Sequence, residues 1–207
     1  MSYTENPHPA AARITGLYER HARTFDQLRS KDLMERAWLD RFCAEIPAGA
    51  SVLDLGCGSG EPMARHLIAG GYAVTGVDAA PAMVALCRAR FPESRWIEGD
   101  MRQLALPETF GGILAWHSFF HLPHGDQRVM FAVFERHATS GAALMFTSGP
   151  EHGEAMGEFE GEALYHASLA PEEYRALLAA HGFRVVHHMA EDQDCGGGTV
   201  WLAKRDA

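Results

Sequence analysis

An α/β fold with a mostly parallel sheet is predicted by three features of the sequence. From about residue 50 onward, short apolar runs alternate with helical patterns. A glycine-rich turn joins the first of these runs to the first helix of the series. The last two runs are joined by the polar, glycine-rich segment EDQDCGGG, which is hairpin chemistry rather than a helical crossover.

Two helical stretches come before residue 50. Ile14, Leu17, Tyr18, His21, Phe25 and Leu28 share one face of the first, and Met34, Trp38, Phe42 and Ile46 recur every four residues in the second. Pro47 and Gly49 close this leader. The first strand is expected over 51–54, followed by a helix carrying Met63, Ala64, Leu67 and Ile68 that stops at Gly70 and Gly71. A second strand over 73–77 ends at Asp78, and Pro81 opens the next helix with Met83, Val84 and Cys87. Further strands are expected over 95–98, 112–116 and 142–147, with a helix around Val129, Met130, Val133 and Phe134 between the last two. Pro171 and Gly182 bracket a final helix, and 183–186 and 199–203 form the terminal hairpin. The spacing predicts one domain over 1–207: a helical leader or cap over 1–49 and a core over 50–207. Within the core, 148–169 is too long for a plain connection and suits a lid.

Bulk composition narrows the function. A chain of 207 residues, 47% hydrophobic, supports one sizeable core and leaves no room for a separate catalytic module. The first residues lack a basic start and apolar run, and no later stretch approaches spanning length, so no membrane association and a cytoplasmic location are expected. Cys43, Cys57, Cys87 and Cys195 are scattered without a CxxC pair, against a disulfide framework or structural zinc. With 18 Lys and Arg against 27 Asp and Glu, the formal charge of −9 disfavours nucleic acid as a partner.

The most informative segment is VLDLGCGSG, residues 52–60, an apolar strand running into three glycines at every second position before a helix. Glycine permits the tight turn and lets ligand approach the backbone, and helix amides point into the crevice beyond the strand. Asp78 ends the next strand, 20 residues after Gly58, where doubly wound folds set an acid against a ribose diol. The spacing of Gly56, Gly58 and Gly60 is GxGxG rather than GxGxxG, and Asp54 stands just before it. A carboxylate there suits a ligand with a cationic amino group and repels a pyrophosphate, which favours S-adenosylmethionine over a nicotinamide dinucleotide.

In order and spacing, VLDLGCGSG, GVDAAPAMV and EGDMRQL resemble the first three motifs of class I S-adenosylmethionine-dependent methyltransferases of the small-molecule type, over roughly residues 50–205. The resemblance implies a Rossmann-like doubly wound sheet of seven strands in the order 3-2-1-4-5-7-6, with strand 7 antiparallel. It implies S-adenosylmethionine as cofactor and S-adenosylhomocysteine as product. Asp54, Gly56, Gly58 and Gly60 would surround the methionine part and Asp78 the ribose hydroxyls. Ala79 and Met83 would flank adenine, and Asp100 with Met101 would read its amino edge. Tyr18 would fold over the methionine end, with Arg29 against its carboxylate. Core packing explains Met83 and Met101 almost as well, turn capping competes for Asp100, and amphipathic packing accounts for Tyr18.

In open α/β sheets the ligand lies beyond the carboxyl ends of the strands. The acceptor is therefore expected among the stretch Trp116 to His124, the segment 148–169 and the leader. His117 and His121 are the candidate bases, because an imidazole takes a proton near neutral pH. Phe120 and Trp116 would shape the walls, Trp116 on the cofactor side, and His124, His152, Tyr165 and His166 would contact the acceptor. A polar anchoring role competes for each histidine. Metal binding by His117, His121 and His124 is disfavoured, since Pro123 breaks helical spacing and no acidic ligand accompanies them. Of His187 and His188, at most one can reach the pocket from a regular strand.

The expected reaction is in-line methyl transfer to a small-molecule acceptor with an oxygen, nitrogen or sulfur nucleophile, by a monomer or homodimer. A nicotinamide-dependent oxidoreductase and a non-catalytic S-adenosylmethionine-binding protein are the alternatives.

Overall fold

The computed structural model describes residues 8–206; the first seven residues of the expected leader, and Ala207, lie outside them. Strands β1 (Ser51–Leu55), β2 (Ala73–Asp78), β3 (Arg95–Glu98), β4 (Phe110–Ala115) and β5 (Ala138–Ser148) alternate with helices α3 (Met63–Ala69), α4 (Pro81–Arg90) and α5 (His124–His137). Before them come α1 (Ile14–Leu28) and α2 (Arg36–Ala44). After β5 come a hairpin of β6 (Gly153–Phe159) and β7 (Glu162–Ser168), helix α6 (Pro171–Ala180), β8 (Phe183–Asp192) and β9 (Gly198–Arg205).

Seven strands form one sheet in the order β3-β2-β1-β4-β5-β9-β8. The first five pair in parallel, and β9 runs antiparallel to both β5 and β8. This is the order expected of the class I resemblance, with β8 and β9 as its sixth and seventh strands. Parallel strands need both faces covered, and their near-continuous burial follows: Val52 to Leu55 and Gly112 to Ala115 are buried throughout. One face packs Leu53, Ile113, Leu144 and Phe146 against Phe131, Phe134 and Tyr174. The other packs Val52, Leu114 and Met145 against Trp38, Phe42 and Leu67.

The strong punctuation holds. Pro81 and Pro171 each sit at the first turn of a helix, and Gly70 caps α3. The leader departs from expectation at its ends: Leu28 is 67% exposed because α1 stops there, and Met34 is 44% exposed because α2 begins only at Arg36. The segment 148–169 is an ordered antiparallel hairpin from Gly153 onward. Glu160 and Gly161, both at positive φ, make its two-residue turn, the conformation whose twist matches paired strands. Phe159 meets Tyr18, His21 and Phe25 of α1, and Glu162 pairs with Arg20 and His21. The hairpin thus lies on the leader helix.

Gly76 in β2 is a steric requirement rather than a conformational one. A Cβ there would sit 2.3 Å from the Trp96 ring and 2.9 Å from Cys57 Sγ. Gly76→Ala should therefore destabilise the protein by about 1–3 kcal/mol as the ring is forced aside. A urea unfolding midpoint equal to that of the unmodified protein would contradict this packing.

Candidate functional site

The parallel strands end at a cavity of about 370 Å³. Its floor is the turn after β1. Gly56 and Gly58 are at positive φ, and a Cβ on Gly56 would fall 2.2 Å from Ser118 Cβ, so only glycine allows the β4 loop to close against β1. The Ser118 hydroxyl fastens that closure by donating to Leu55 O at 2.6 Å.

Asp78, at the end of β2, organises the turn. Its carboxylate accepts from the Gly58 N–H and from the Ala80 N–H, both at 2.9 Å. Each oxygen keeps lone-pair capacity for a ligand hydroxyl. Burial raises its pKa, opposed by the N–H groups of Ala80, Gly58 and Ala79.

Asp54 has a different environment. It is 3% exposed, lines the cavity, and has no hydrogen-bond donor on its carboxylate among the described residues. Burial, and then the charge of Asp78, push its pKa up to about 7. A buried carboxylate without a partner is costly, and a ligand cation would relieve that cost. The complementary group is also present: Trp116 Nε1 is a buried donor with no partner among the described residues, and Arg29, paired with Glu35, brings a guanidinium to the same cavity. Acid for an ammonium, donors for a carboxylate and Asp78 for a diol together match an amino acid joined to a nucleoside.

Tyr18 of α1 and His121 of the β4 loop form the opposite wall. Tyr165 O lies 2.7 Å from His121 Nδ1 and, being a carbonyl, can only accept, so Nδ1 carries the proton. Nε2 then accepts the Tyr18 hydroxyl at 3.0 Å. Burial lowers the His121 pKa to about 3, and burial pushes the Tyr18 phenol up to about 12. His117 is half-buried, at positive φ, with its backbone N–H on Thr147 Oγ1 at 2.9 Å. Its ring has no hydrogen-bond partner among the described residues. Burial first, then Arg29, lower its pKa to about 4.

Residues 52–141 match the family model described as a methyltransferase domain. Similar to this chain is the 2-phytyl-1,4-naphtoquinone methyltransferase of Thermosynechococcus vestitus, 34% identical over 48% of this chain and 49% of that protein. The chain spans about half the length of that curated relative. The 1,6-didemethyltoxoflavin-N1-methyltransferase of Burkholderia thailandensis, solved with S-adenosylhomocysteine, superposes with a TM-score of 0.76 at 17% identity over 100% of this chain and 93% of its own. An amino pentose methyltransferase of Micromonospora echinaspora, solved with S-adenosylmethionine, gives 0.69 at 23% identity over 91% and 96%. The fold of the chain is thus that of class I methyltransferases.

Among the described residues, the cavity gathers Tyr18, Arg29, Asp54, Gly56, Gly58, Asp78, Ala79, Met83, Asp100, Met101, Trp116, His117 and His121 from the expected set. Other expected residues stand elsewhere. Gly60 turns its face to α4, where a Cβ would meet Phe91 at 2.9 Å. Asp100 is on the wall, but its carboxylate caps the turn at Arg102 N (2.9 Å) and pairs with the Arg102 guanidinium, which holds it below the usual carboxylate range. Phe120, His124, His152, Tyr165 and His166 are not on the cavity wall. Phe120 and His166 pack behind His121, His124 bonds Gly153 O at 3.1 Å and stacks on exposed His152, and the Tyr165 hydroxyl donates to Glu154. His188 stacks on Trp201, and His187 is exposed. Among the described residues there is no cluster of His, Cys, Asp and Glu suited to a metal ion. Sequence reasoning missed Glu61 and Ser118 on the wall, although Ser118 sits within the His117–His121 stretch already singled out.

The pKa of Asp54 has a consequence for stability. Because folding raises it, the stabilising protonated form is fully present below the unfolded pKa and is lost as pH rises through the folded value. The penalty therefore grows between about pH 4 and about pH 7 and stays constant above. In the ligand-free protein, Asp54→Asn should raise the melting temperature at about pH 8 by several degrees, with the gain shrinking toward about pH 4. A gain independent of pH would contradict the assignment.

Proposed function

We propose that the protein transfers the methyl group of S-adenosylmethionine to a small-molecule acceptor by in-line displacement. The observation that carries this reading is the partnerless carboxylate of Asp54 beside Asp78 and the glycine turn. Asp54 would hold the cofactor's ammonium, Arg29 and Trp116 its carboxylate, Asp78 the ribose hydroxyls, and Ala79, Met83 and Met101 the adenine faces, with Asp100 at the adenine edge. When bound, the cofactor supplies a carbon already activated by its sulfonium.

The protein's own contribution is alignment and exclusion of water. With its Nδ1 proton on Tyr165 O and its Nε2 on Tyr18, His121 has no free lone pair for an acceptor proton. It orients Tyr18. His117, whose ring faces the cavity without a partner, is the base for an acceptor that must lose a proton. Relatives named for a naphthoquinone, an amino pentose and didemethyltoxoflavin support a small acceptor for this chain as well. The acidic composition supports the exclusion of nucleic acid. No helix among the described residues is long and apolar enough to cross a membrane, and the four cysteines are free. We read 1–207 as one domain, cytoplasmic, monomeric or homodimeric, with 1–49 as leader and 148–169 as lid, acting through Tyr18 and His121 rather than by direct contact.

Calorimetric titration should show binding of S-adenosylhomocysteine and none of a nicotinamide dinucleotide, and Asp78→Ala should cost about 1–3 kcal/mol of that binding. Dinucleotide binding instead would favour an oxidoreductase. With an acceptor found by a labelled-cofactor screen, His117→Asn should lower kcat and leave cofactor affinity unchanged. The rate should be flat from about pH 6 to about pH 8 and fall only as His117 protonates near its lowered value of about 4. An acid limb at the ordinary histidine value would contradict a neutral imidazole whose pKa its surroundings lower.

A further inference from the structure

The leader helix α1 lies along α4 and is fastened near both ends of it. At the start of α4, Glu19 Oε2 accepts from the Ala82 N–H at 2.7 Å, satisfying a helix-end donor that has no partner within the helix. At the other end, Arg90 donates both terminal nitrogens to Asp26, at 3.0 and 2.8 Å. This fork-to-carboxylate geometry is the strong form of an ion pair, and both side chains are largely withdrawn from solvent, 22% and 13% exposed.

The same guanidinium reaches further. Arg90 Nη1 also donates to Ser59 O at 2.8 Å, the carbonyl between Gly58 and Gly60, and Nε lies 3.6 Å from Glu61 on the cavity wall. One turn earlier on α4, the Cys87 thiol donates to Gly58 O at 3.1 Å. Asp78 holds the Gly58 N–H from the cavity side. The turn is therefore fixed at Gly58 N by Asp78 and at its two successive carbonyls by α4, and one of these two holders is the residue that anchors the leader. Tyr18 and Phe25, two of the leader side chains on the cavity wall, lie between Glu19 and Asp26 or beside them in sequence.

We propose that Arg90 is a positioning residue that couples the leader helix to the cofactor turn, so that the turn's shape and the placement of Tyr18 are set by one guanidinium. The role does not follow from charge alone. A lysine ammonium is a point charge on a flexible stem and cannot supply the planar fork to Asp26 and a third contact to Ser59 O together. Asp26→Asn removes the ion pair but leaves the bond to Ser59 O, whereas Arg90→Gln removes both.

The link to the cofactor rests on the methyltransferase reading; the latch itself can be read without it. Limited trypsin digestion, which reports the leader through exposed Arg20 and Arg23, should release it in Asp26→Asn and Arg90→Gln while the remainder of the chain resists cleavage. S-adenosylhomocysteine affinity should fall roughly tenfold in Arg90→Gln and nearly as much in Arg90→Lys, but only about threefold in Asp26→Asn. Adding Asp26→Asn to Arg90→Gln should cost nothing more. Full affinity in Arg90→Lys, or a leader that stays protected in both single variants, would overturn the proposal. Should the unmodified protein fail to bind S-adenosylhomocysteine, the cofactor reading falls, and leader protection alone decides the latch: lost in the variants, it stands; retained, it fails.

Discussion

Two carboxylates at the ends of adjacent parallel strands, Asp54 on β1 and Asp78 on β2, set the constraint around which the site is built. Burial raises the cost of ionising both, and the charge of Asp78 adds to the cost at Asp54. Asp78 offsets its burial with backbone N–H groups of the glycine turn, while Asp54 has no such relief. Such an arrangement is poor for stability and good for binding, because a cation placed beside Asp54 recovers what burial costs. The glycines, the Ser118 closure and the α4 contacts keep the turn in the shape that leaves Asp54 exposed to the cavity and to nothing else.

The opposite wall is assembled from parts distant in sequence. Tyr18 and His121, 103 positions apart, meet at 3.0 Å, and a backbone carbonyl of the β6–β7 hairpin fixes which nitrogen of His121 is protonated. The hairpin thus reaches the cavity through intermediaries: it sets His121, which sets Tyr18. Phe159 and Glu162 hold the leader helix from the outside while Arg90 holds it from below. Loops on a sheet usually carry chemistry, and here the leader lines the cavity directly while the hairpin bears on it through His121.

Much of the sheet was legible because its signals are local. Proline at helix starts, glycine at ends and apolar runs of strand length located most elements, and the glycine-rich link before β9 marked the antiparallel edge. Asp78 was legible from its distance to Gly58, since the strand, turn and helix between them have nearly fixed lengths. The hairpin was not, because Glu154, Glu158 and Glu160 make a polar stretch that reads as loop, and its packing partner is the distant leader. Leu28 and Met34 misled because periodicity does not say where a helix stops. Phe120, His124, His152, Tyr165 and His166 stand off the cavity wall for a related reason: residue type suggested chemistry, but His124 opens α5, His152 precedes β6, and Phe120, Tyr165 and His166 pack around or behind His121. The Arg90 contacts were invisible, since nothing in a helix-ending arginine distinguishes a solvated charge from a three-way anchor.

The most direct test of this account is the carboxyl carbon shift of Asp54 followed by NMR across pH, with and without S-adenosylhomocysteine. The account requires a titration near 7 in the free protein, displaced below about 5 once an ammonium sits beside the carboxylate. A free-protein value in the ordinary aspartate range, or a titration that the ligand leaves in place, would contradict it.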